Sequence, residues 1–235
     1  PLSIGESSLF VTTIYAEALQ ALALDTMGWV GRFAAAPIPS ATWPCGESGN
    51  LTTTWTDADR DGRLGPGDGL VMNLTGCDAP ASASRLSGAL RLTMVTPRDA
   101  QALAARVNME TGVRFTAGDL TGTWKGSFAT EHATLERIQE MQTTATTADL
   151  LRLELQIQNV RAVERFEALD LSRTVSVDWQ ANFSEYSMTL ASDVLKGKVW
   201  MSTPTILLSY FDTYPRQGVI AVAGGAIDPG TRTFL

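Results

Sequence analysis

One segment of this chain combines residue types and spacing that could do recognisable chemistry: Asp57-Ala58-Asp59-Arg60-Asp61-Gly62-Arg63-Leu64-Gly65-Pro66-Gly67-Asp68. With Asp57 as position 1, acids fall at positions 1, 3, 5 and 12, glycine at 6 and leucine at 8. Alternate aspartates on a loop that winds about a centre turn their oxygens inward, and glycine permits the sharp turn. This reading makes Asp57, Asp59, Asp61 and Asp68 side-chain ligands. Arg63 contributes its backbone carbonyl while its charged side chain points away, and Leu64 ties the loop to the core. The ion that wants roughly six to eight such oxygens is Ca2+. Aspartate is short for position 12, and Arg60 and Arg63 stand close by. The expected affinity is therefore weak, on the order of 10⁻⁵ to 10⁻³ M as in extracellular modules, and the expected role is structural. The alternative is an acidic, glycine-rich turn that binds nothing.

The spacing is that of EF-hand loops. With aspartate at position 12 the segment resembles the loops of dockerins, the calcium modules of secreted enzyme complexes. The resemblance covers twelve residues of 235. Dockerins carry the loop twice with helices after it, whereas this chain has one loop between Thr52-Thr53-Thr54-Trp55 and Leu70-Val71-Met72, which read as strands. The resemblance therefore implies the metal role and not cohesin binding. As a disulfide-bounded, strand-rich segment the region also resembles uncharacterised bacterial surface and periplasmic lipoproteins.

Cys45 and Cys77 flank the loop and are the only cysteines. They form no CxxC pair, and one histidine in the whole chain cannot complete a structural zinc site with them. The expectation is a disulfide closing about 33 residues and contributing roughly 3–4 kcal/mol; the alternative is two buried thiols. A disulfide points to an oxidising, extracytoplasmic compartment: periplasm, outer-membrane-associated or secreted. There is no stretch of about 18 apolar residues, so no transmembrane helix is expected. No signal sequence is visible from Pro1 onward, and a lipid anchor upstream of residue 1 is compatible with that.

The chain has 18 Lys+Arg against 25 Asp+Glu, a net charge of −7, and 44% hydrophobic residues. That composition is globular, and its acidity argues against a nucleic-acid or anionic-membrane partner, since either wants a basic face. His132, beside Glu131, is the sole imidazole. No GxSxG elbow, P-loop or strand-bound GxGxxG occurs, so no catalytic constellation emerges. Asp170, Asp178 and Glu185 read as solvated surface. Trp29, Trp43, Trp55, Trp124, Trp179 and Trp200 read as core, with a cavity lining or sugar platform as the alternative. Tyr210-Phe211-Asp212-Thr213-Tyr214-Pro215 reads as a hairpin tip or an exposed contact loop.

The elements that must position these residues follow from periodicity. Residues 7–35 carry Leu9, Ile14, Leu19, Leu22, Met27, Val30 and Phe33 at helical intervals. Ser7 and Ser8 are candidate caps, Gly28 and Gly31 weaken the last turns, and Pro37 and Pro39 stop the helix. Its sparse charge predicts burial around much of its circumference. From residue 50 the texture is β: strands at 50–56, 69–76, 86–96, 111–117, 121–130, 150–166, 174–183, 186–193, 197–202, 205–212, 217–224 and 231–235. Residues 97–108 read as a short helix and 131–149 as a helix followed by a polar loop. Leu86-Ser87-Gly88, Leu120-Thr121-Gly122, Leu195-Lys196-Gly197 and Arg216-Gln217-Gly218 form a weak repeat, read as a glycine turn before each strand.

The expected architecture is mainly β: an antiparallel meander, curved or a half-open barrel, with the N-terminal helix packed on it (α+β). It forms a single domain over 1–235, divided at 1–40, 41–130, 131–149 and 150–235. The expected function is a non-enzymatic, calcium-stabilised extracytoplasmic binding protein with a hydrophobic ligand or a protein as partner. Two alternatives stand beside it: a periplasmic carrier of lipid or another hydrophobic ligand, and a hydrolase with an unidentified carboxylate site.

Overall fold

The computed structural model describes residues 4–97, 102–135, 140–147, 151–157, 160–176, 181–195, 197–210, 217–224 and 227–234. Among these described residues lie one helix, α1 (Ile4–Ala34), and fourteen strands. These are β1 (Ser40–Pro44), β2 (Asn50–Thr56), β3 (Gly69–Ala79), β4 (Ser84–Val95), β5 (Ala102–Asn108), β6 (Val113–Ala117) and β7 (Leu120–Leu135) in the first half. The second half has β8 (Glu140–Thr147), β9 (Leu151–Ile157), β10 (Val160–Ser176), β11 (Ala181–Ser192), β12 (Gly197–Tyr210), β13 (Gln217–Gly224) and β14 (Ile227–Phe234).

All fourteen strands join one antiparallel sheet, whose main path runs β1-β2-β3-β4-β5-β7-β8-β10-β11-β12-β13-β14. The two remaining strands fill shared slots. The first half of β4 pairs with β6 and its second half with β5, and β7 meets the same two strands on its other side. Likewise β8 and β9 occupy successive stretches of the space between β7 and β10. Among the described residues the sheet is not a clean barrel, and its path runs from β1 at one end to β14 at the other.

The sheet curves about α1. Near its C-terminal end the helix meets β1 and β2 through Phe33, whose ring lies 6.4 Å from Trp43 and 5.9 Å from Trp55. Arg32 donates to the Pro44 carbonyl at 2.9 Å and stacks over Trp43. Further toward its N-terminus, Tyr15 packs edge-on against Phe166 of β10, and Phe166 continues to Trp124 of β7. The helix backbone also lies against β13 and β14. This matches the sparse charge: from Tyr15 to Phe33 nearly every turn is buried on several faces, including Gln20, Asp25 and Thr26. Ser7 and Ser8 lie inside the helix rather than at its cap.

Several expected elements differ. Residues 102–108, read as helical, form β5, because Ala102, Ala104, Ala105 and Val107 are wanted by the core while Arg106 faces solvent; residues 98–101 lie outside the described residues. Within the expected helix and loop at 131–149, the described residues are instead the end of β7 and the whole of β8, a Thr-rich stretch suited to a pleated surface; residues 136–139 and 148–149 lie outside the described residues. The single strand expected at 150–166 is divided between β9 and β10. The expected strand 174–183 spans the end of β10 and the start of β11, with residues 177–180, including Asp178 and Trp179, outside the described residues. The strands expected at 197–202 and 205–212 are one strand, β12, with register shifts at Ser202/Thr205. The aromatic cluster 211–215 also lies outside the described residues. β1 has no counterpart in the sequence reading.

Candidate metal centre

The acidic loop connects β2 to β3, whose ladder runs from Asn50↔Thr75 to Thr56↔Gly69. It is therefore the tip of a hairpin. Cys45 and Cys77 are disulfide-bonded at the other end, with Cα atoms 5.3 Å apart and a sequence separation of 32. The two features stand at opposite ends of the same pair of strands.

The structure brings Asp57, Asp59 and Asp61 together: one carboxylate oxygen of each lies within 4.8 Å of the others. Calcium–oxygen bonds are about 2.4 Å, so oxygens on opposite sides of one ion stand about 5 Å apart, and the spacing fits. The winding is built from the backbone. Arg60 and Gly62 both adopt left-handed conformations, with φ of 62° and 74°. Asp57 accepts from the Arg60 and Gly62 amides at 2.6 and 2.9 Å. Asp59 accepts from the Asp61 amide at 3.2 Å, and Asp61 from the Arg63 amide at 2.8 Å. The Asp61 amide lowers the Asp59 pKa, but lost hydration and the charges of Asp61 and Asp57 outweigh it, leaving the carboxyl above its ordinary value. Mutual repulsion of this kind is what a divalent cation relieves. A donor set of carboxylate oxygens suits Ca2+ or Mg2+ rather than a soft transition metal.

Asp68 is placed differently. It is not in the group of three converging carboxylates. Its side chain is buried, and its two oxygens accept from the Ala58 amide at 2.8 Å, the Gly65 amide at 3.0 Å and the Trp55 indole at 3.1 Å. Burial alone would raise its pKa; the three N–H donors outweigh that and hold it below the usual aspartate value. Asp68 thus staples both ends of the loop to β2. Its own backbone carbonyl accepts from Met94 on β4 at 2.8 Å. Leu64 packs against the core, and the Arg60 and Arg63 side chains are exposed. The sequence reading missed Trp55 as Asp68's partner, although an indole donor one strand away from a loop acid is a legible pairing.

Asp170 and Glu185 are exposed on β10 and β11. His132 is half-buried on β7, and burial holds its pKa below the ordinary imidazole value. Trp29 and Trp124 are core, Trp43 and Trp55 pack at its border, and Trp200 is 45% exposed. Comparison with protein-family models, curated proteins and solved structures finds no match to this chain. No described helix is long and apolar enough to cross a membrane.

Proposed function

We propose that this chain is a non-enzymatic, calcium-stabilised extracytoplasmic binding protein that presents the outer face of its sheet to a ligand. The observation that carries the reading is the convergence of Asp57, Asp59 and Asp61 at the tip of a hairpin whose other end is held by Cys45–Cys77. Three carboxylates and the Arg63 carbonyl leave the remaining positions to water, which agrees with weak, structural binding. Such a site fills where calcium is millimolar, and a disulfide persists in the same compartments. A sheet-surface role is favoured over an interior carrier because helix residues such as Leu19, Leu22, Met27 and Val30 fill the concave side together with Leu90, Leu153, Phe166 and Leu190.

Differential scanning calorimetry on chelator-treated protein tests the metal role. At calcium tenfold above its Kd, the folded state gains about 1.4 kcal/mol. The variant Asp57→Ala/Asp61→Ala retains its fold and loses this shift. A wild type that carries no ion from purification and shows no calcium response overturns the reading.

A further inference from the structure

The outer face of the sheet is interrupted where β5 ends and β6 begins. Both strands fill the slot between β4 and β7, and the chain breaks pattern between them at Met109–Gly112. The break is fixed locally. The Gly112 amide donates to the Met109 carbonyl at 2.9 Å, the Met109 amide to the Gly126 carbonyl at 2.7 Å, and the Glu110 amide to the Asn108 side chain at 2.9 Å. Gly112 has φ of 87° and Gly88 of 134°, and a Cβ on Gly88 would meet the Gly112 carbonyl at 2.5 Å, so the backbones close up beside the break.

The result is a dent in two joined grooves of about 280 and 540 Å³ that share Arg106, Asn108 and Glu110. Arg91 lines the first; Lys125 and Arg152 line the second. Four cations therefore face one carboxylate, on a chain whose net charge is −7. Register explains the clustering. Arg91 is opposite Asn108 and Arg106 opposite Thr93, which makes the two arginines diagonal neighbours, and Lys125 lies directly opposite Arg152. Glu154 holds Lys125 at 2.9 Å. Arg91, Arg106 and Arg152 have no ion-pair partner among the described residues. Like charges on facing strand positions cost stability, and an anion seated between them offsets that cost.

We infer that this dent is a binding site for an anion carrying several phosphate or sulfate groups. Planar guanidinium forks match the oxygens of such groups in bidentate fashion, and Asn108 adds a neutral donor. A volume well beyond that of one phosphate, with cations spread from β4 to β9, calls for more than one charged group along the ligand. The inference rests on the reading of the sheet's outer face as the binding surface and names its ligand chemistry. It uses no residue of the acidic loop.

Isothermal titration with sodium tripolyphosphate, in calcium-free buffer at low salt, provides the test, beside sedimentation with phosphatidic acid vesicles and with neutral phosphatidylcholine vesicles. Binding to tripolyphosphate or to the phosphatidic acid vesicles is expected. It should weaken with added NaCl, fall at least tenfold in Arg106→Ala and in Arg152→Ala, and hold in Arg161→Ala, an exposed arginine outside the grooves. The arm that binds identifies the source as a free polyanion or a lipid headgroup. Circular dichroism confirms that the variants fold, and Arg106→Lys retains part of the affinity. Binding to neither probe, or binding unchanged in both alanine variants, overturns the inference. The calcium response, measured on the same preparations, stands or falls separately.

Discussion

Glu164 is fully buried on β10, yet its environment is not apolar. Its Oε1 accepts from the Val194 amide at 3.2 Å, the Ser192 and Tyr15 hydroxyls stand near enough to favour its charge, and its Oε2 is buried with no hydrogen-bond partner among the described residues. Burial raises its pKa; the three donors lower it but do not compensate, and the charge of Asp193 adds to the rise. The folded chain therefore holds this proton more tightly than the unfolded chain, and stability from Glu164 grows as pH falls from neutral through the raised value toward the ordinary 4.5. Glu164→Gln keeps the shape and the acceptor without the charge. Its melting temperature should equal or exceed that of the wild type at pH 7.5, with the advantage shrinking toward pH 5. A variant that is less stable at pH 7.5 and shows the wild-type pH slope would contradict this. Asp25 poses the complementary case. It is buried on α1 and accepts from the Ala81 amide, the Ser82 amide and the Ser82 hydroxyl at 2.9–3.0 Å, stapling the helix to the β3–β4 turn. Asp25→Ala strands those donors and should cost roughly 2–4 kcal/mol, and Asp25→Asn clearly less, in urea unfolding.

At the scale of elements, glycine separates the positions where the chain needs freedom from those where it merely tolerates it. Gly28 lies on the exposed face of α1, and a Cβ added there would meet no neighbouring side chain or strand within 4 Å. Gly28→Ala should raise stability by about 0.8–1 kcal/mol through helix propensity. Gly88, inside β4, has a positive φ and a neighbouring carbonyl in the way of any Cβ. Gly88→Ala should cost about 3 kcal/mol or more, read in the same unfolding experiment. The repeat in the sequence marks Gly88, Gly122 and Gly218 but assigns them to turns. The structure places them within β4, β7 and β13, at close approaches. The reason is physical: a strand that must let another backbone or the Phe115 ring in close needs glycine just as a turn does, and composition alone does not distinguish the two. Helix α1 was legible because Leu19, Leu22, Met27, Val30 and Phe33 repeat at helical spacing. The Asp57–Asp61 convergence was legible because loop ligands are local in sequence. Segments 102–108 and 140–147 were not, since alanine and threonine runs take the conformation their neighbouring strands impose. The cationic dent was invisible for a related reason: Arg91, Arg106, Lys125 and Arg152 become neighbours only through a register that no local pattern sets.

Across the whole molecule, the disulfide and the proposed ion would act on the β2–β3 hairpin by different physics. The disulfide restricts the unfolded chain over a separation of 32 residues, while a bound ion adds free energy to the folded state alone. They stand at opposite ends of a ladder of seven paired residues, about 20 Å apart. Asp68, Trp55 and Met94 tie the loop end to β2 and β4, whereas Cys77 belongs to the far end of β3. Independent sites at that distance have additive effects. Cys45→Ser/Cys77→Ser should therefore lower stability by roughly 3–4 kcal/mol and leave the calcium increment unchanged within about 0.5 kcal/mol. A calcium increment that disappears in the disulfide-free protein, at a temperature where it is still folded, would mean that the hairpin orders as one unit. The loop would then be preformed only while the bridge holds β3 in place, and oxidation would gate the metal site. Additivity instead makes the two devices separate responses to one environment, so that loss of either weakens the fold without dismantling the other.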